Sequence, residues 1–236
     1  MRVSTGVEGF DQLVDGGLPK GHVYTLSGPP GAGKSTFSAQ FISQCVENGE
    51  RGLIVSMHET EETLIESMAD YSFGFEQVMR SPQVSYLNVL ENGNHRFLQP
   101  AQEGDYLTSA RAQVRHVSEF LNRNNVSRLV FDSTMLLRYF FGNDPEVVMH
   151  FLTGLKQTDV TTLLIDEMTD PSSYADEHFL AHGVIFLHNF LDADSGNMQR
   201  GVQVVKMRGT DIDTDIHKLS FTDAGIRVHP DEKIEG

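Results

Sequence analysis

The chain of 236 residues has no tryptophan, a single cysteine and only six lysines. A lone thiol, Cys45, excludes an internal disulfide and any zinc site built on cysteines. No apolar run approaches the ~18–20 residues that a membrane helix requires. The opening Met1-Arg2-Val3-Ser4-Thr5-Gly6 lacks the apolar stretch of a secretory leader, so the expectation is a cytoplasmic protein without membrane insertion. Repeats, low-complexity tracts and Pro/Ser/Gly-rich linkers are missing too, which points to one domain over residues 1–236. Positive charge is scarce: 33 acids oppose 18 Lys and Arg, for a net charge of −15. Without a net positive field, a generic nucleic-acid-backbone binder is disfavoured. An acidic surface that avoids lysine suits a high-salt cytoplasm, where screening over ~3 Å at 1 M makes self-repulsion tolerable. An ordinary acidic bacterial or archaeal protein is the alternative.

What is present is enough apolar residue, 39% of the chain, to build a core. Short apolar runs alternate with amphipathic stretches. His22–Ser27, Gly52–Met57, Val84–Val89, Leu129–Asp132 and Thr161–Asp166 read as strands. Helices are expected over Lys34–Asn48 with Gly49 as C-cap, Thr60–Tyr71, Asp105–Asn124 and Pro145–Gln157, and Gly93–Gly104 as a surface loop. Continuous rather than alternating hydrophobicity marks strands covered on both faces, hence an α/β fold with a mainly parallel central sheet and helices on both sides. Gly183–Phe190, Gly201–Arg208, His217–Thr222 and Ile226–His229 follow in quick succession and read as a C-terminal antiparallel extension.

Gly28-Pro29-Pro30-Gly31-Ala32-Gly33-Lys34-Ser35 fits the phosphate-loop pattern G-x-x-x-x-G-K-[ST] without a mismatch, between a strand and a helix. Glycines let backbone N–H groups curl around a β-phosphate where side chains would obstruct them. Lys34 is expected to reach the β- and γ-phosphates, Ser35 to place its hydroxyl on Mg²⁺, and Thr36 to follow in the same first turn. The helix N-terminus adds partial positive charge. The cofactors implied are ATP and Mg²⁺. A strand-end acid must hold the magnesium shell, and two compete on pattern alone: Asp132 and Asp166, the latter followed by Glu167.

Ser4-Thr5-Gly6-Val7-Glu8-Gly9-Phe10-Asp11-Gln12-Leu13-Val14-Asp15-Gly16-Gly17-Leu18-Pro19-Lys20-Gly21 resembles the opening of KaiC-like members of the RecA superfamily. Arg200–Thr210, with its Lys206-x-Arg208-Gly209 core, and the strands His217–Thr222 and Asp223–Ile226 resemble the family's closing segments. The resemblance runs from about residue 3 to 229, with single-domain archaeal and especially haloarchaeal KaiC-like proteins the relatives expected. It implies a RecA-like fold and makes Asp132 the magnesium aspartate, with Asp166 and Glu167 near the γ-phosphate. It also implies two consecutive glutamates after the second strand, the first activating the attacking water. Here that pair reads His58-Glu59. Three readings follow: Glu59 is the base with modest turnover, the favoured one; His58 orients the water; or the protein is mainly a slow nucleotide-dependent switch.

Lys206 and Arg208 alternate along a strand and so share a face. In the resembled family such residues reach a neighbour's γ-phosphate in trans, which implies a homo-oligomeric ring, commonly a hexamer, with an unidentified protein partner for a regulatory or scaffolding switch. The clock proteins' autophosphorylated Ser–Thr pair corresponds here to His178 and Phe179, which lack hydroxyls, while Ser172, Ser173 and Tyr174 lie out of register. His178 and His182 have helical metal-ligand spacing but no convincing further ligands. Recombinase-like DNA loops would be Ser133–Pro145 and Glu167–Ala181, which hold one cation, Arg138, among many acids. Tyr139-Phe140-Phe141 there reads as core or interface packing rather than base stacking. A DNA-repair ATPase, and an ATP-binding component of an archaeal motor or sensory complex, remain as alternatives.

Overall fold

A computed structural model describes residues 1–89, 106–141, 145–170, 172–191 and 196–234, without the side chains of 106–110, 141 and 145. The loop expected over Gly93–Gly104 lies outside the described residues. Strands β1 (Arg2–Val3) and β2 (Leu18–Pro19) form a short antiparallel ribbon around a 3₁₀ turn, Phe10–Val14. Then come β3 (Val23–Gly28), α1 (Lys34–Asn48), β4 (Gly52–Ser56), α2 (Glu61–Ser67), α3 (Phe75–Met79), β5 (Val84–Asn88), α4 (Tyr106–Arg123) and β6 (Arg128–Asp132). The chain continues through α5 (Met135–Phe141), α6 (Pro145–Leu155), β7 (Thr161–Glu167), α7 (Asp176–Leu180) and β8 (Gly183–Leu191). It closes with β9 (Met198–Met207), β10 (Ile216–Thr222) and β11 (Gly225–Lys233).

Among the described residues, one sheet runs in the order β11-β10-β9-β8-β3-β7-β6-β4-β5. The strands from β8 to β5 are parallel, and β9 to β11 are antiparallel. This is the expected α/β architecture with one refinement. The sequence puts β8 in the antiparallel extension, but β8 also pairs in parallel with β3, Tyr24 opposite Gly183. The crossover through α7 carries the chain back to the other end of the sheet before β8 begins, and that fixes its direction.

β3, β4 and nearly all of β6 and β7 are buried along their length, as their unbroken apolar runs require. Tyr24, Leu26, Ile54, Val130 and Leu163 pack with α1 and α3 on one side; Val23, Leu53, Val55, Leu129 and Leu164 pack with α4 to α6 on the other. In α4, Gln113, Val117 and Leu121 recur every fourth residue as its buried stripe. Gly154 lets α6 approach it closely, since a Cβ there would meet Val114 Cγ1 at 2.1 Å. α1 ends where expected: Gly49, with φ of 67°, donates its N–H to the carbonyls of Cys45 and Val46. α2 is shorter than expected. It stops at Ser67, and Tyr71 and Phe73 instead stack at 5.6 Å beside the unanticipated α3.

The two segments that carry the family resemblance meet on α1. Asp11 closes the first by accepting from Ser4 Oγ, Thr5 N and Thr5 Oγ1. Gln40 of α1 donates to Gly6 O and Ile226 O and accepts from Ile226 N, which ties both chain ends to the helix after the phosphate loop. Arg128, 1% exposed, adds a second clasp through Glu50 Oε2 at 2.7 Å, Ser4 O at 2.6 Å and the face of Phe41. Breaking a buried ion pair of this kind costs about 3–5 kcal/mol. Among the described residues no helix is long and apolar enough to cross a membrane.

Candidate nucleotide site

The parallel strands end along one edge, and register brings the expected residues there together. Ser27 lies opposite Asp166 and Gly28 opposite Glu167. Asp132 lies opposite Ile165 on one side and Ser56 on the other, so β3, β7, β6 and β4 finish side by side. The Gly28–Gly33 loop leaves the first of these. At Gly28 (φ 150°) a Cβ would sit 2.4 Å from Leu187 O, and at Gly33 (φ 108°) 2.8 Å from Ile226 Cδ1. A side chain is therefore excluded at both ends of the loop. Asn189 Nδ2 donates to Pro30 O at 3.3 Å.

Lys34 is buried, and its Nζ donates to Gly28 O at 2.7 Å and Pro29 O at 3.0 Å, so the loop curls around an ammonium. Burial lowers its pKa, while Glu167, Asp132 and Asp166 pull the other way. A nearly buried cation bonded to two neutral carbonyls at the start of a helix suits an incoming anion. Ala32 and Thr36 are buried in this turn, and Ser35 is exposed.

The two competing aspartates have different surroundings. Asp166 accepts from Thr134 Oγ1 at 2.7 Å on Oδ1, and His178 Nε2 lies 3.3 Å from its Oδ2. Burial opposes its ionisation, but the hydrogen bonds from His178 and Thr134 outweigh that and hold its pKa below the usual value. Asp132 is raised by burial in spite of His58 and Lys34, which favour its charge. Asp166 is thus engaged in internal hydrogen bonds, and Asp132 is the strand-end acid whose charge burial penalises and Lys34 and His58 favour.

Beyond β4, His58 Nε2 lies 3.1 Å from Ser133 Oγ. Glu59 is half-buried, and its main-chain oxygen accepts from Tyr86 Oη at 2.6 Å and Asn88 Nδ2 at 3.0 Å, so β5 fixes this turn. Burial raises the Glu59 pKa, the Asp132 charge adds to the rise, and His58 opposes it. A carboxyl shifted upward near a phosphate site is suited to accepting a proton.

Lys206 and Arg208 do share a face, but not the edge of the phosphate loop. Lys206 lies opposite Val184 of β8, level with Thr25 of β3, and Arg208 lies beyond it toward the other end of the sheet. Lys206 Nζ donates to the carbonyls of His178, Phe179 and Ala181 at 3.0, 3.0 and 2.8 Å, and Arg208 donates to Phe179 O at 3.1 Å. Burial, helped by Arg208 and Lys156, lowers the Lys206 pKa to about 8.

Sequence reasoning missed His178 as part of this network. Its spacing to His182 suggested a shared helix face, but α7 ends at Leu180 and the two rings part. His178 turns inward, 3.0 Å from Ser27 Oγ, while His182 stacks on His22 with ring centroids 3.8 Å apart. The available signal was Ser27 itself, a polar residue in a buried strand just before the loop. A cleft of about 650 Å³ opens beside these groups, lined by Met57, Thr134, Tyr139, Asp166, Glu167 and His178 among others. Of the aromatic trio on α5, Phe140 is buried as expected, whereas Tyr139 is 60% exposed. Arg138, the one cation of the two recombinase-like loops, lies 3.5 Å from Glu177 Oε1.

Comparison with known proteins agrees with this fold. The family model of the KaiC ATPase matches residues 3–233. A UPF0273 protein of Pyrococcus furiosus is 28% identical over 99% of this chain and 96% of its own. The circadian clock protein KaiC3 of Synechocystis is 27% identical over 89% of this chain, which spans 42% of that longer protein. The crystal structure of a KaiC-like protein from Pyrococcus horikoshii superposes with a TM-score of 0.78 at 30% identity, covering 98% of this chain and 99% of that one. The chain belongs to the KaiC family of ATPases.

Proposed function

We propose that this protein binds Mg·ATP and hydrolyses it slowly as a single-domain subunit of a cytoplasmic ring, its turnover limited by the altered glutamate pair at His58-Glu59. The observation that carries the reading is the glycine loop curled around buried Lys34 on the same strand edge as Asp132 and Glu59. In it, loop N–H groups and Lys34 hold the β- and γ-phosphates. Ser35 and Asp132 would hold Mg²⁺, which supplies charge neutralisation on the phosphate oxygens. Glu59 takes a proton from water as the water oxygen bonds to the γ-phosphorus and the bond to the bridging oxygen breaks, leaving ADP and phosphate. With His58 where the resembled family has its first glutamate, turnover is modest, because proton acceptance contributes ~10²–10⁴-fold.

Lys206 and Arg208 lie away from their own loop, which supports their reaching the γ-phosphate of a neighbouring copy. A closed ring follows, a hexamer by family resemblance, in which nucleotide state controls assembly or the docking of a protein partner. Recruitment to DNA is opposed by the pairing of Arg138 with Glu177. The net charge of −15 supports a high-salt cytoplasm, so the melting temperature should rise from low salt toward molar KCl; a flat response contradicts that part of the reading.

The test of nucleotide binding is Lys34→Ala. Titration calorimetry should show ATP binding lost while the thermal transition persists, because only the phosphates lose their cation. A folded variant with wild-type affinity would remove the basis of the proposal.

A further inference from the structure

His178 is held at both ends. Its main-chain oxygen accepts from Lys206 Nζ at 3.0 Å, and its ring reaches the strand that carries the phosphate loop. Ala175 N donates to Nδ1 at 3.0 Å, so in the neutral ring the proton is on Nε2. That Nε2–H faces Ser27 Oγ at 3.0 Å and Asp166 Oδ2 at 3.3 Å, and Ser27 immediately precedes Gly28. The His178 side chain is 1% exposed, so water does not replace these partners. α7 has five residues, too few to be stable by its own hydrogen bonds. It is pinned inside by His178 and at its C-terminal end by Lys206 and Arg208.

An ammonium has three N–H donors, and Lys206 directs them at three carbonyls of this segment. It cannot bind a phosphate without releasing at least one. We propose that His178 is a positioning residue that couples the γ-phosphate contact made by Lys206 and Arg208 at one boundary to the phosphate loop of the same protomer; this rests on the trans placement proposed above. When the cations turn to the neighbour's ATP, the C-terminal end of α7 is released and the hold of His178 on Ser27 slackens. Gly28 O, which accepts from Lys34 until phosphate arrives, is then easier to displace. ATP at one boundary thereby favours ATP at the next, which is positive cooperativity.

The experiment is MgATP binding by equilibrium dialysis on rings crosslinked after assembly and stripped of nucleotide, so that assembly does not contribute to the curve. Wild-type rings should give a Hill coefficient above one. His178→Leu, which fills the space but has no N–H, should bring it to one. His178→Gln, whose amide N–H can replace Nε2–H, should restore it. Ser27→Ala removes the acceptor without disturbing α7 and should also give one, which keeps the test decisive if His178→Leu does not fold. A wild-type coefficient of one, a coefficient unchanged in Ser27→Ala, or failure of His178→Gln to restore what His178→Leu loses overturns the coupling. Mixing Arg208→Ala with Glu59→Gln separates the two ideas. Recovered turnover with non-cooperative wild-type binding sinks the coupling alone, and no recovered turnover sinks the trans placement and the coupling with it.

Discussion

His58 Nε2 lies 3.1 Å from Ser133 Oγ, which ties the turn after β4 to the residue that follows Asp132. The imidazole thus links two strand ends at the position where the resembled family carries its first glutamate. The remaining carboxylate, Glu59, has a raised pKa caused first by burial and then by Asp132. On the proposed reading, this arrangement keeps Glu59 as base but takes away one acidic group.

Restoring that group should therefore speed the reaction. His58→Glu is expected to raise steady-state phosphate release by about 10²-fold, the lower end of the range for a positioned base. Turnover that stays at the wild-type level would assign the slow step to something other than the altered pair, such as product release.

Asp132 should destabilise the nucleotide-free protein. Burial raises its folded pKa above the unfolded value, so ionisation is penalised in the fold. The penalty is complete above the raised folded pKa and vanishes below the unfolded one, where the carboxyl is neutral in both states. Asp132→Asn should then melt at a higher temperature than wild type at neutral pH, with the gap closing as pH falls through that window. The same variant should lose Mg²⁺-dependent ATP affinity. An Asn variant that melts lower at neutral pH would show that the carboxylate is needed for packing.

Much of this was legible because phosphate binding demands a fixed spacing of glycines and a lysine, and because strands buried on both faces leave unbroken apolar runs. The Gly28–Ser35 loop and the parallel core, β3, β4, β6 and β7, follow from those two constraints. Direction was harder to read. β8 has the same apolar run whether it pairs in parallel or antiparallel, and only the crossover through α7 decides. Side-chain destination was harder still. His178 and His182 look alike in sequence, yet one closes a buried network and the other stacks on His22, because α7 ends between them. The choice between Asp132 and Asp166 needed resemblance at first. The structure supplies a physical difference, since Asp166 is engaged by Thr134 and His178.

On the proposed reading a working site is divided between two protomers, with Lys34, Asp132 and Glu59 from one and Lys206 and Arg208 from the other. This division is read out by ATPase activity after mixing two inactive variants, Arg208→Ala and Glu59→Gln. Mixed rings contain some boundaries with an intact cation facing an intact base, so partial recovery of phosphate release is expected. Rings that assemble from the mixture yet release no more phosphate than either variant alone, or an Arg208→Ala protein that hydrolyses ATP normally by itself, would contradict the account.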